Sequence, residues 1–462
     1  MLTTSRQPRS FRADALYASL TLLASSSCQT TKDVHCTHEM CRKSFGLEFY
    51  CASDGYCDVE ELHSDCEFVL ADEDASTIDS DYLLLGYLID GSNPTQLEAR
   101  KEASLEVLRV ANQASTPYKF GIVSCSYEHE GKDEPQNVKK ALRSIGEYFD
   151  RIGVQLVVGP SSTYASSVLL DSSLDPRQQL RFVMISPSAT AESLQQVDGA
   201  RGRFWRTVPS DAKQGERSAT MIGEALRDGV VLQLIILEDQ YANQLAEEIR
   251  EALSSRLDMP DVVDAENTSD VEAALRRLRA EDGVLIISRK QTSFTNVLQR
   301  VVELDAKVGH IFLTDGAANS RAIEPVVGTA FAERVYGTRP GVDDREQHPV
   351  RGDDIYEAFT LDATWLALYA LAWAHHHGQP GVTIADIKAA LPQLSQTGDT
   401  CEQASFRVRT DWPEATACLE RQSSIDLMGY TGNLDFDAHG DMVGGGFEVW
   451  RIGADGGVVA EK

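Results

Sequence analysis

The sequence predicts an α/β protein of two doubly wound lobes, each a parallel sheet with helices on both faces, preceded by a small cysteine-rich module. Three observations predict it. From Tyr82 onward, short apolar runs rich in β-branched residues alternate with longer amphipathic stretches, the pattern of strand–helix–strand units that build a parallel sheet. There are about seven such units, more than one small doubly wound sheet uses, and a gap around 204–211 divides them into two groups. Five of the nine cysteines lie from Cys36 to Cys66, ahead of the first run.

In chain order, residues 1–12 carry Arg6, Arg9 and Arg12 without an acid, 15–24 is mostly apolar, and Ser25, Ser26 and Ser27 precede Cys28. That order reads as a secretory signal over 1–28 with a small-residue cleavage site, although Asp14 is out of place in it. A cysteine directly after small residues is similar to the lipobox of bacterial lipoproteins, with Ser25 where leucine is usual. The similarity implies acylation of Cys28 and a lipid anchor. Gln29 fits sorting to the outer membrane of a diderm bacterium.

An exported chain meets an oxidising compartment, so the eight cysteines after Cys28 are expected as disulfides. The segment 29–66 is too poor in apolar residues to hold itself together otherwise. The expected pairs are Cys36 with Cys51, Cys41 with Cys57, Cys66 with Cys125, and Cys401 with Cys418. Sequence alone does not fix such pairing, and only the last pair is isolated in one late loop. A zinc knuckle using His35 and His38 is the rival reading; against it stand the lack of a C-x-x-C and oxidation on export.

Expected strands are 82–89, 118–124, 154–158, 182–185, 231–237, 283–287 and 310–313, with helices over 95–113, 137–152, 214–227, 244–257 and 295–308. Later come a strand at 333–336, a helix over 355–376, a short helix at 383–391, a polar disulfide-bearing insertion at 395–424, and a hairpin-rich end at 432–461. His375, His376 and His377 are consecutive, so on a helix they diverge; a solvated helix end is expected rather than a metal site.

Across 462 residues, 43 Lys and Arg stand against 71 Asp and Glu, a formal net charge of -28. Such a chain repels phosphate backbones and anionic lipid heads, which excludes nucleic acid and polybasic membrane docking. No apolar run is long enough to span a bilayer, which leaves a lipid anchor as the expected membrane attachment. Nothing matches a phosphate-binding Gly-Lys-Ser loop, a dinucleotide glycine fingerprint or a G-x-S-x-G elbow, so neither an enzyme nor a cofactor is expected.

In open α/β sheets ligands bind beyond the carboxyl ends of the strands, and two lobes set a cleft between two such edges. After 154–158 come Gly159-Pro160-Ser161-Ser162-Thr163 and a helix start, which offers hydroxyls, backbone N–H groups and a positive dipole end to a carboxylate. After 182–185, Ser186-Pro187-Ser188-Ala189-Thr190 forms a second hydroxyl-rich turn on the same edge. One such turn alone reads as a helix cap; two at neighbouring strand ends point to a site.

The segments 158–163, 185–191, 204–211 with Gln214-Gly215, Glu238-Asp239-Gln240-Tyr241, Gly337-Thr338-Arg339-Pro340 and 430–441 (Tyr-Thr-Gly-Asn-Leu-Asp-Phe-Asp-Ala-His-Gly-Asp) occur in one order. They resemble the branched-chain (leucine/isoleucine/valine) amino-acid binding proteins of ABC transporters, in the type I periplasmic binding fold, over about 82–462. The resemblance implies two Rossmann-like lobes joined by three crossovers near 207–210, 337–340 and 430–432. Lobe one is then 82–206 with 341–429, and lobe two 210–336 with 433–462. It implies that Ser162 and Thr163 hold a ligand α-carboxylate, with further contacts from Ser188 and Thr190. Tyr241 is implied to close over the ligand, and Asp315 to meet its ammonium. An α-amino acid needs such an anion site on one side and a carboxylate on the other. Where the family carries an aromatic, near 289–292, this chain has Lys290, Gln291 and Thr292, which implies a more polar or anionic ligand than leucine, isoleucine or valine.

The expectation is therefore an exported, lipid-anchored solute-binding protein of the periplasm or cell envelope. It would capture an amino acid or similar small polar solute and dock, closed, on an ABC permease. The alternative is a non-transport ligand sensor or an envelope structural, partner-binding lipoprotein on the same fold, for which the module at 36–66 and the insertion at 395–424 speak. Loss of ligand binding is a third possibility.

Overall fold

Two sheets carry the fold, and the amino-terminal module is stitched to the first of them. The computed structural model describes residues 36–45, 49–69, 81–92, 94–114, 116–128, 135–171, 179–197, 200–237, 239–342, 354–378, 381–395, 405–421 and 424–461. The signal segment, Cys28, His35 and Cys401 lie outside the described residues.

In the module, helix α1 (His38–Phe45) packs on the antiparallel pair β1 (Phe49–Cys51) and β2 (Cys57–Val59), held by the disulfides Cys36–Cys51 and Cys41–Cys57. Those bonds consume the thiolates that a zinc knuckle would need, and His38 instead accepts a hydrogen bond from the Cys51 amide. Cys66, the expected end of the module, opens a strand instead. This edge strand, β3 (Cys66–Val69), is antiparallel to β5 and bonded through Cys66 to Cys125.

The first sheet has the order β3-β5-β4-β6-β7-β8, where β4 is Asp81–Asp90, β5 Tyr118–Tyr127, β6 Leu156–Val158, β7 Val183–Ser186 and β8 Phe204–Arg206. All but β3 run parallel. In β4, Leu83, Leu85, Tyr87 and Ile89 face the core under α2 (Pro94–Gln113), while Leu84 and Leu88 face α3 (Pro135–Arg151) and α4 (Thr163–Leu170). Burial on both faces is why such a strand reads as a continuous apolar run. β8 occupies the stretch expected as a gap. Its Phe204 and Trp205 enter opposite cores, and three residues are too few to show a period of two.

The second sheet has the order β10-β9-β11-β12-β13-β17-β18. Its parallel part comprises β9 (Leu232–Ile236), β10 (Val263–Asp264), β11 (Gly283–Ile287), β12 (His310–Leu313) and β13 (Val335–Pro340). Helices α5 (Asp211–Ala225) and α6 (Gln240–Leu253) cover one face, and α7 (Thr268–Leu275) and α8 (Gln291–Glu303) the other.

The chain then returns to the first lobe with α9, a single turn at Ser320–Ile323, left behind it, and builds α10 (Glu357–His377), α11 (Ile384–Ala390) and α12 (Trp412–Leu419). Beside them lie short strands β14 (Phe406–Arg407), β15 (Leu427–Gly429) and β16 (Gly432–Asn433). β17 (Phe447–Ile452) and β18 (Val458–Ala460) close the second sheet as an antiparallel edge. The insertion expected to be polar is, in its described part, core: Trp412 is buried and meets Tyr369 edge-on at 4.5 Å. Cys418 is disulfide-bonded. Nor do the three histidines end in solvent. His377 Nε2 lies 2.6 Å from the Leu419 carbonyl, and His375 and His376 pack against Tyr118, because α12 covers that end of α10.

Asp362, buried in α10, ties this return to Tyr430 and Thr431. It accepts from the Tyr430 and Thr431 amides at 2.8 and 2.9 Å and from the Thr431 hydroxyl at 2.6 Å, with Gly429 leaving room that a Cβ would fill. Burial pushes its carboxyl up from 3.8 to about 6 despite those donors. A raised folded-state value means that the fold takes up a proton, so this contribution is full below the unfolded value and is lost as pH rises through about 6. Between pH 4 and 7, wild-type unfolding free energy should fall by about 2–3 kcal/mol more than that of Asp362→Asn in urea titrations. Equal pH slopes in the two proteins would refute the assignment.

Candidate functional site

On the first sheet, the carboxyl edge is shaped by Gly159, whose φ of 110° and close approach to the Leu88 carbonyl (a Cβ would lie 2.1 Å from its oxygen) admit only glycine. The turn it makes brings Ser161 Oγ to accept from the Asp90 amide at 2.9 Å. Ser162 caps α4, accepting from the Ala165 amide at 3.2 Å, and lies 3.1 Å from the Tyr127 hydroxyl; Thr163 opens the helix and is buried. Ser188 Oγ donates to the Ser161 carbonyl at 2.8 Å, and Ser186 Oγ to the Pro160 carbonyl at 2.6 Å, so the two hydroxyl turns form one unit. Thr190 is turned toward Arg206 and Asp211. Its carbonyl accepts from the Asp211 amide and from Arg206, and its hydroxyl pulls down an Asp211 carboxyl that burial pushes well up.

On the second sheet, Tyr241 follows β9 at the start of α6, where Asp239 caps the helix through the Ala242 amide at 2.9 Å. Asp315 follows β12. Its Oδ1 accepts from the Tyr241 hydroxyl at 2.6 Å and from Gln214 Nε2 at 3.0 Å, and its Oδ2 accepts from the Tyr356 hydroxyl. Burial first, and the Asp315 charge second, hold both phenols well above the usual tyrosine range. The structure thus joins Tyr241 to Asp315 on one edge and Ser162, Thr163 and Ser188 on the other.

Tyr356 stands directly before α10, a first-lobe helix, so its bond to Asp315 crosses between lobes. A second contact across the cleft sets Ser193 between Gln240 and Gln244. Sequence reasoning missed Tyr356 and also Arg100 and Asp354, which hold it: Arg100 lies 5.7 Å over the phenol ring and pairs with both Asp354 oxygens at 2.5 and 3.0 Å. Gln214 lies in one of the segments that carry the family resemblance, which implies no role for it. At the departure from the family pattern, Arg289 pairs with Asp239, Lys290 with Glu266, and Gln291 donates to Asn319, so these polar groups are engaged within the second lobe.

Two doubly wound lobes with hydroxyl turns on one carboxyl edge and a carboxylate on the other define a two-lobed ligand-binding protein of the type I periplasmic binding fold. The profile of the receptor family ligand binding region matches residues 111–455, and the chain belongs to that family, one of ligand-binding regions rather than enzymes. Among solved structures, an extracellular ligand-binding receptor from Rhodopseudomonas palustris HaA2 is similar at 12% identity and a TM-score of 0.60, covering 83% of this chain and 100% of its own. A leucine binding protein from Thermotoga maritima is similar at 13% identity and a TM-score of 0.58, over 82% of this chain and 98% of its own. A branched-chain amino acid transporter substrate binding protein from Streptococcus pneumoniae, in complex with isoleucine, shows 14% identity and a TM-score of 0.56, over 82% and 100%. At these identities the likeness is one of fold. No curated protein sequence matches.

Proposed function

We propose that this chain is an extracytoplasmic solute-binding protein that captures an amino acid or similar small polar solute between its lobes and presents it to an ABC permease. The observation that carries the reading is the pairing of two hydroxyl turns, 161–163 and 186–190, on one sheet edge with Tyr241 and Asp315 on the other. Solute would enter on the first-lobe hydroxyls, and the lobes would close about the three crossovers, making the contacts of Tyr356 with Asp315 and of Ser193 with α6. In this reading 1–28 directs export and Cys28 carries the lipid anchor. Among the described residues no helix is long and apolar enough to cross a membrane.

A thermal-shift screen of the full chain, freed of carried-over solute by partial unfolding, tests it. Ligand at a hundred times its dissociation constant adds about 2.7 kcal/mol of stability, a clear shift in melting temperature. Silence across amino acids, amides and small carboxylates, from folded protein, would remove the reading. It would then favour a non-transport sensor or envelope partner-binding protein. That second reading draws on the module's firm seat on lobe one, through the Cys66–Cys125 bond, the buried Arg42 donating to the Ile152 carbonyl, and Arg151 with Glu60.

A further inference from the structure

Asp315 is the group that the family resemblance assigns to a ligand's ammonium, yet both of its oxygens are engaged by the chain itself. Oδ1 holds Tyr241 and Gln214 from the same lobe; Oδ2 holds the hydroxyl of Tyr356, which reaches over from the other lobe. Tyr356 is not loosely placed. Its amide donates to Asp354 Oδ1 at 3.1 Å, its carbonyl accepts from the Thr360 hydroxyl at 2.9 Å, and the Arg100–Asp354 pair that flanks its ring is buried. A hydroxyl fixed on a buried carboxylate supplies the donor that an incoming ammonium would supply. An ammonium approaching Oδ2 meets the phenol already in place, and displacing it would leave that hydroxyl without its acceptor inside the protein. The hydroxyl turns at 161–163 and 186–190 belong to the opposite edge and do not touch Asp315, so the carboxylate-accepting half of the site does not depend on this contact.

We propose, resting on the solute-binding reading above, that Tyr356 occupies the amine subsite at Asp315, so that the solute is a small carboxylate without an α-ammonium and Tyr356 sets that specificity. The lobes then close by Tyr356 meeting Asp315 rather than by a ligand amine bridging to it. The same contact makes Asp315 a positioning residue for closure and not a ligand contact.

The test is calorimetric titration of the full chain, freed of carried-over solute, with each protein amino acid beside its desamino counterpart: leucine beside isocaproate, phenylalanine beside hydrocinnamate, glutamate beside glutarate. Wild type should bind one desamino acid at least about tenfold more tightly than the matching amino acid, a difference of about 1.4 kcal/mol. Tyr356→Phe keeps the ring and removes the hydroxyl; it should shrink that preference by about tenfold through a gain in amino-acid affinity. Its thermal melt reports whether it is folded. Wild type that binds an amino acid as tightly as its desamino partner overturns the proposal, as does a folded Tyr356→Phe with unchanged discrimination. If neither class binds wild type or variant, the solute-binding reading itself falls and takes this one with it.

Discussion

Arg206→Ala is expected to destabilise the chain by about 3–5 kcal/mol, the scale for removing one partner of a buried charge pair. The guanidinium is fully buried. Its Nε and Nη2 each lie 2.7 Å from an oxygen of Asp441, a bidentate pair, and its Nη1 donates to the carbonyls of Thr190 at 2.5 Å, Ala191 at 3.1 Å and Ala189 at 3.4 Å. Burial pushes the Asp441 carboxyl up and Arg206 pulls it back. Without the guanidinium, a buried carboxylate and a row of buried carbonyls lose their donors together. Because Arg206 ties the second hydroxyl turn to Asp441, the variant should, on the proposed solute-binding reading, also bind solute more weakly. Urea unfolding reads the first effect, and a double variant with Asp441→Asn should cost less than the sum of the two singles. A loss under about 1 kcal/mol would show that water or a shifted side chain replaces the pair.

The second large effect is expected from the disulfide that joins the module to the sheet. Cys66 and Cys125 are opposite residues of the antiparallel β3–β5 ladder and enclose a loop with a sequence separation of 59. On chain entropy alone, closing a loop of that length removes about 4 kcal/mol from the unfolded state's advantage. The Cys66→Ser, Cys125→Ser double variant should lose that much in urea unfolding under non-reducing conditions, and amide exchange in 66–69 should accelerate first, since β3 is an edge strand held on one side only. If β3 stays protected and the unfolding free energy is unchanged, then the ladder and the contacts of Lys101 with Glu67 and of His63 with Ser144 are sufficient to seat the module.

How much of this was legible beforehand depended on how far apart in sequence the determinants lie. The strand–helix alternation, the glycine turn at Gly159 and the hydroxyl runs at 161–163 and 186–190 were readable, because each is a local pattern whose period or turn chemistry shows within a dozen residues. Short elements escaped: β3 and β8 are edge strands of four and three residues whose partners lie elsewhere in the chain. The 405–421 segment looked polar because its core contribution comes from a few residues, Phe406, Val408, Trp412 and Leu419, spread among charged ones.

By itself, the sequence determined the fold class, the existence of two lobes, the disulfide character of the module and the hydroxyl-bearing edge, since burial periodicity, turn chemistry and cysteine spacing act between near neighbours. Only the tertiary structure decided which groups meet across it. Arg206 finds Asp441 over 235 residues and Arg100 finds Asp354 over 254, and neither pair leaves a trace in any local window. The state of Asp315 belongs to the same class. Its position after a strand was readable, but its engagement by Tyr241, Gln214 and Tyr356 follows from three segments converging at the lobe boundary, where desolvation makes every donor count.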